Sequence, residues 1–187
     1  DKLEFADKLL ESIKCKRVAE ITGKKRLKPP RGFVEEDFNW LATLPFGWFW
    51  ERLGWITSGV EYGTGTKSST NGDVPVLRMG NIQNMKFDWN DLVYTSDKQE
   101  IEKYLLKFND VLFNRTNSPE LVGKTAIYRS DRPAIFAGYL IRINQISSIV
   151  DATFLNLYLN SNTAKQYGNK VKTDGVNQSN INGEKLS

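Results

Sequence analysis

Hydrophobic residues Leu3, Ala6, Leu10 and Ile13 recur at alternating spacings of three and four. That pattern predicts that residues 1–21 are the end of an amphipathic helix with a coiled-coil or helix-hairpin seam. It fades at Arg17, and Gly23 is the expected stop. The run Gly23-Lys24-Lys25-Arg26-Leu27-Lys28-Pro29-Pro30 reads as a basic, non-helical tether, followed by acidic Glu35-Glu36-Asp37. A globular unit is expected to start at Leu44-Pro45-Phe46-Gly47-Trp48. Trp48 and Trp50 suit one face of a short strand.

Residues 58–73, rich in Gly, Ser, Thr and Asn, read as a polar loop longer than compact domains carry without a functional reason. Strands are predicted from Val74 to Met79, Asp110 to Asn114, Thr125 to Tyr128, Ala134 to Ile143 and Ile146 to Ile149. Helices are predicted from Glu100 to Phe108 and from Phe154 to Leu159, extending toward Tyr167. Gly175 to Asn182 reads as a polar loop. The fold class is therefore one mixed α/β (α+β) domain with a twisted mixed or antiparallel sheet, preceded by the amphipathic helix. The expected boundaries are 1–28 for helix and basic tether, 29–43 for linker and 44–187 for the domain.

Composition narrows the chemistry. The chain has 187 residues, a net charge of +4, one cysteine and no histidine. Without imidazole, general acid–base catalysis near neutral pH, activated nucleophiles and most zinc sites lose their usual side chain. A non-catalytic chain with no metal or cofactor is the expectation. A lone Cys15 and the lack of a secretory start fit a reducing compartment, with cytosol the default. No apolar run is long enough to span a bilayer. Residues 14–31 hold eight Lys/Arg against Glu20, whereas the chain from Gly32 onward has 16 basic and 17 acidic residues. Any anion-binding site in the body must come from local placement of charge.

Three segments could place hydrogen-bonding groups against DNA. In Asp110–Lys124 an apolar strand delivers Asn114, Arg115, Thr116, Asn117 and Ser118 to a turn, with Gly123-Lys124 after it. Arg can bond two acceptors on guanine and Asn two groups on adenine, while Thr, Ser, Lys and backbone N–H groups suit phosphates. An ordinary solvated turn explains the same composition. Arg78 and Asn81, at a strand end beside Gly80, could enter a groove or pair with a carboxylate. Asn177, Gln178 and Asn180 suit base edges or a plain loop equally well. Lys67, in the long loop, completes the candidate set. Trp89 is the best candidate for an exposed ring, most other aromatics being core residues. Gly63-Thr64-Gly65-Thr66 lacks the later glycine of a dinucleotide loop, and Gly123-Lys124-Thr125 lacks the earlier glycine of a phosphate loop.

In order, these pieces resemble the specificity subunits of type I restriction–modification systems. Leu44-Pro45-Phe46-Gly47-Trp48 matches that family's domain start, with Phe46 where Glu is usual. Val74 through Arg78 with Gly80-Asn81-Ile82, Asp110 through Lys124, and Gly175 with Asn177-Gln178 and Asn180-Ile181 match three further blocks, the second most closely. The resemblance covers about residues 44–187, and residues 1–43 resemble the end of the family's spacer helix. It implies a target-recognition domain that reads one half of a split double-stranded DNA target. Its partners would be a second recognition domain of the same subunit, methyltransferase subunits that modify adenine, and a motor–nuclease subunit. The resemblance would also make this chain a piece cut before the next helix.

Two other classes compete. A glycan-binding module would expose a row of aromatics on one sheet face. A carboxylate hydrolase would need a pair such as Asp88 and Asp91 in a cleft at catalytic separation.

Overall fold

The structure, a computed structural model, describes residues 8–15, 34 and 41–186. Residues 8–15 are helical, as the Leu10 and Ile13 spacing predicts. Leu3, Ala6, the basic tether and the acidic run lie outside the described residues. Lys14 joins this helix to the domain: its Nζ lies 2.8 Å from a Glu51 carboxylate oxygen and 5.7 Å from the centre of the Trp55 ring.

The strand expected at Trp48 and Trp50 is not formed. Pro45 and Gly47, the latter at φ +82°, turn the chain so that the Trp48 N–H donates to the Pro45 carbonyl at 3.1 Å. The Trp50 indole N–H instead donates to the Ala42 carbonyl. A short helix α1 (Leu53–Ile56) leads into β1 (Thr57–Tyr62). Part of the expected long loop is therefore strand. Gly59, at φ +117°, sits in the register shift between Thr57 and Val60, so the glycine that suggested a loop is accommodated as a bulge. The loop proper begins at Gly63. A Cβ there would come within 2.3 Å of the Phe136 carbonyl oxygen, so only glycine permits this approach.

The next elements are β2 (Val74–Leu77), a single 3-10 turn at Met79–Asn81, β3 (Ile82–Gln83), β4 (Lys86–Phe87), β5 (Val93–Thr95) and α2 (Lys98–Tyr104). They are followed by β6 (Val111–Asn114), β7 (Thr116–Asn117), β8 (Thr125–Ile127), β9 (Ile135–Phe136) and β10 (Leu140–Gln145). The chain then forms α3 (Ala152–Leu159), α4 (Asn162–Val171), β11 (Thr173–Asp174), β12 (Ser179–Asn180) and α5 (Gly183–Leu186). Residues 146–149 form a turn rather than the expected strand, with the Ile149 N–H bonded to the Ile146 carbonyl. The helix expected to run on toward Tyr167 is broken at Asn160-Ser161. There the Ser161 hydroxyl accepts the Ala164 N–H and starts α4.

Four strands in the order β1-β10-β6-β8 make the central antiparallel sheet. It is buried on both faces because its apolar residues alternate between two cores. Leu112 and Leu140 face a core with Val76, Leu77, Ile135 and Phe136. Val111, Phe113, Ile141 and Ile143 face another with Leu155, Leu159 and Ile181. Beside the central sheet stand a β5-β2-β9 sheet, in which β2 and β9 run parallel, and a small β11-β12-β7 sheet. This is a mixed α+β fold with several sheets in place of one.

A polar network locks the first face. Arg142 pairs across the sheet with Glu61. Its guanidinium bonds Glu61 at 2.5 Å and Asp110 at 3.0 Å, donates to the Leu105 carbonyl and covers the Phe136 ring. Burial opposes its charge, and the two carboxylates overcome that, so its proton is held more firmly than usual.

Candidate nucleic-acid interface

The small sheet collects two of the three candidate segments. After β6 the chain leaves the central sheet at Arg115 and enters β7. There Thr116 pairs with Asn180 and Asn117 with Ser179 of β12. The join is sealed by the Arg115 N–H donating to the Tyr139 carbonyl at 3.1 Å and the Ile181 N–H donating to the Arg115 carbonyl at 2.9 Å. Residues separated by more than sixty positions thus share one edge.

The loop after β7 is tied from below. Leu121 and Val122 donate to the Ser118 carbonyl, and Gly123 donates to the Asn114 carbonyl at 2.8 Å. Gly123 needs its φ of +91° for that return. The Asn114 N–H reaches the Lys124 carbonyl, which places Lys124 at the foot of the loop, half-buried. Glu120 is held below the ordinary carboxylate range by its own backbone N–H and then by Ser118.

Several predicted contact residues have structural duties. Asn114 is fully buried; its amide donates weakly to the Leu121 carbonyl at 3.4 Å, and its carbonyl oxygen has no partner. Asn81, only 4% exposed, accepts the Arg78 N–H and donates to the Asp88 and Asn90 carbonyls. These two amides have no free surface for a base. The Thr116 hydroxyl accepts from the Asn180 amide at 2.7 Å, and Asn117 accepts the N–H of Ser118. Arg115 is half-buried, its guanidinium 5.0 Å from the centre of the Tyr62 ring and 3.4 Å from the Gly138 carbonyl. Asn177 and Gln178 are exposed.

Arg78 and Lys67 belong elsewhere. Arg78 follows β2, and its guanidinium is clamped by the Asp91 carbonyl at 2.7 Å and carboxylate at 3.0 Å, the surface pairing weighed from the sequence. Residues 137 and 138 stand between its strand and Arg115. There Ala137 bonds the Leu77 carbonyl and Gly138 receives Arg115. Lys67 is exposed in a loop bound at Ser69 to Tyr94 of β5. Trp89 is not a free ring. It is half-buried, packs on Tyr128 and lies under Arg132.

Two surface features escape composition. Tyr62 is partly exposed yet anchored by the Gly183 N–H on its hydroxyl at 2.8 Å; its neighbours come from distant positions, so nothing local marks it. Val176 stands fully exposed in a polar run, and that lone apolar letter was a legible signal.

The rival sites fare poorly. Of the exposed aromatics among the described residues, only Tyr62 lies on a strand; Phe46, Trp48 and Phe49 precede α1, and Phe154 is on α3. Asp88 accepts bonds from Asn90 and Asp91 holds Arg78, so both carboxylates brace the loop. An apolar cavity of about 650 Å³ lies between residues 41–56, α3, α4 and the 118–123 loop, lined by Trp48, Trp50, Phe154 and Tyr158 among others. Among the described residues no helix is long and apolar enough to cross a membrane.

No protein-family model matches the chain. Similar proteins do. A protein of Methanocaldococcus jannaschii described as the type I restriction enzyme MjaX specificity subunit is 28% identical over 160 residues, covering 82% of this chain and 38% of that protein. The type I restriction enzyme EcoEI specificity subunit of Escherichia coli is 25% identical, covering 98% of this chain and 32% of its own length. A solved structure concerning complex assembly and conformational transition of the type I R-M system contains a chain of the same fold. That chain has a TM-score of 0.56 and 18% identity, with 98% of this chain and 41% of that one covered. The chain spans about a third of the length of these curated relatives. It has homologues among type I restriction enzyme specificity subunits over nearly its whole length.

Proposed function

We propose that this chain is a target-recognition domain of a type I restriction–modification specificity subunit, with residues 44–187 reading one half of a bipartite double-stranded DNA target. The observation that carries the reading is homology to specificity subunits along nearly the entire chain. The pairing of β7 with β12, which sets Thr116 and Asn117 beside Ser179 and Asn180 and joins Arg115 to Ile181, supports it. In this reading residues 1–28 end the spacer helix and basic tether, and 29–43 link it to the domain. The chain supplies recognition in the cytosol. Methyltransferase subunits modify adenine, a motor–nuclease subunit cuts, and a second recognition domain of the same subunit reads the other half.

The exposed Asn177 and Gln178 are assigned to base edges, and Lys124 and Lys67 to phosphates. Thr116, Asn117, Ser118 and Asn180 shape the edge, and Arg115 braces it while offering its remaining N–H groups. Arg78 orders the neighbouring loop. Methylome sequencing of cells carrying the intact system gives the target. The purified assembly should then bind that duplex far more tightly than a scrambled one. Its affinity should fall with salt by close to one log–log unit for each phosphate contacted. Binding that ignores sequence, or the absence of a split adenine-methylated motif, overturns the reading.

A further inference from the structure

The hairpin of β11 and β12 ends in a tip whose composition is not that of a mere turn. The Gly175 N–H donates to the Gln178 carbonyl at 2.7 Å, leaving Val176 and Asn177 outermost. Val176 is 100% exposed, so its methyl groups touch nothing in the protein and contribute nothing to folding. Beside it, the Asn177 and Gln178 side chains make no hydrogen bond to other described residues.

The base of the hairpin is, by contrast, held from several sides. The buried Ser179 hydroxyl donates to the Asp174 carboxylate. Lys185 donates to the Thr173 hydroxyl at 2.7 Å, Asn180 bonds Thr116, and Lys172 reaches the Pro119 carbonyl at 3.5 Å. A fixed stem therefore carries an unused tip of one stiff β-branched side chain beside two amides.

That pairing has a counterpart in duplex DNA. The major groove, about 12 Å wide, admits a two-stranded ribbon, and there an A·T pair shows the thymine 5-methyl group beside adenine N6 and N7. We propose that this tip is a specificity determinant that reads adenine and thymine. Asn177 bonds the adenine edge, and Val176 covers the methyl of the thymine in the same or the adjoining pair. The proposal rests on the DNA-reading function above and deepens it by naming the bases and the atoms that select them.

The test uses the full specificity subunit assembled with its methyltransferase subunits, on the target found by methylome sequencing. Each thymine of the half-site is replaced in turn by deoxyuridine, which removes only the methyl group. Wild type should lose affinity about fourfold at one position, the value of one buried methyl. V176S should bind the thymine and uracil duplexes alike, at the wild-type level for uracil. If no position responds, or V176S responds as wild type does, the tip proposal fails while specific binding preserves the DNA reading. Loss of subunit assembly in V176S with an unchanged uracil response would make the tip a protein contact and also overturn it. If the wild-type assembly shows no sequence preference at all, both fall together.

Discussion

Asn81 and Asn177 are the same side chain in opposite circumstances. The first is buried and spends its whole amide on three backbone groups; the second stands at a hairpin tip with its amide unused. The interior of the domain also contains Arg142 between Glu61 and Asp110, and Asn156 bridging Thr125 to the Met85 carbonyl. The difference teaches that a side chain's capacity to bind a ligand is a property of its position. A buried polar group is costly to leave unpaired, and Asn81 is fully paired, whereas the Asn114 carbonyl oxygen bears that cost. An exposed one has water as its alternative and can exchange it for a ligand.

The sharpest way to break this contrast is Arg142→Ala. It should destabilise the domain by about 3 kcal/mol, because it strands two partly buried carboxylates facing one another. Denaturant unfolding reads the loss, and the combined charge-free replacement R142M/E61Q/D110N should recover much of it. Equal stability of R142A and wild type would make the network ornamental.

Asn81→Ala and Asn177→Ala form the central test. Asn81→Ala should cost about 1–3 kcal/mol of stability by orphaning backbone groups of residues 78–90, and leave the preferred DNA sequence unchanged in the refolded assembly. Asn177→Ala should change stability by less than about 0.5 kcal/mol and reduce discrimination at its base pair by about 1–3 kcal/mol. Unfolding curves and competition binding on the same two proteins decide it, and an exchange of the two outcomes would refute the division of roles.

The smallest effect concerns Asp151. Its carboxylate caps α3 by accepting the Phe154 N–H at 2.9 Å, and chiefly that bond holds its pKa below the ordinary value. A depressed folded pKa means a contribution present in full above the unfolded value and lost as the pH falls through the folded one. The melting temperature of wild type should therefore drop more than that of Asp151→Asn between about pH 6 and about pH 3. Parallel curves would remove the cap from the account.

Much of this was legible in the order of the residues. Asp110-Val111-Leu112-Phe113-Asn114 reads as an apolar strand, and β6 forms there with Val111 to Asn114 all buried. The misreadings share a cause. Trp48 and Trp50 look like strand residues by spacing, but Pro45 and Gly47 turn the backbone first. Residues 58–62 look like part of a loop by composition, yet pairing with β10 makes them a strand. Asn81 and Asn114 look like contacts because amides favour turns and base edges alike, and burial cannot be read from the letter.

By itself the sequence pointed to the class of the protein, through core strands and ordered blocks that resemble those of specificity subunits. Tertiary structure alone decided which polar groups remain available. The β7–β12 pairing joins segments more than sixty residues apart, and only once that sheet closes is it fixed that Asn114 lies inside, Arg115 rests on Tyr62 and Val176 faces water. Long-range pairing sets solvent access, and solvent access sets what a side chain can still bind.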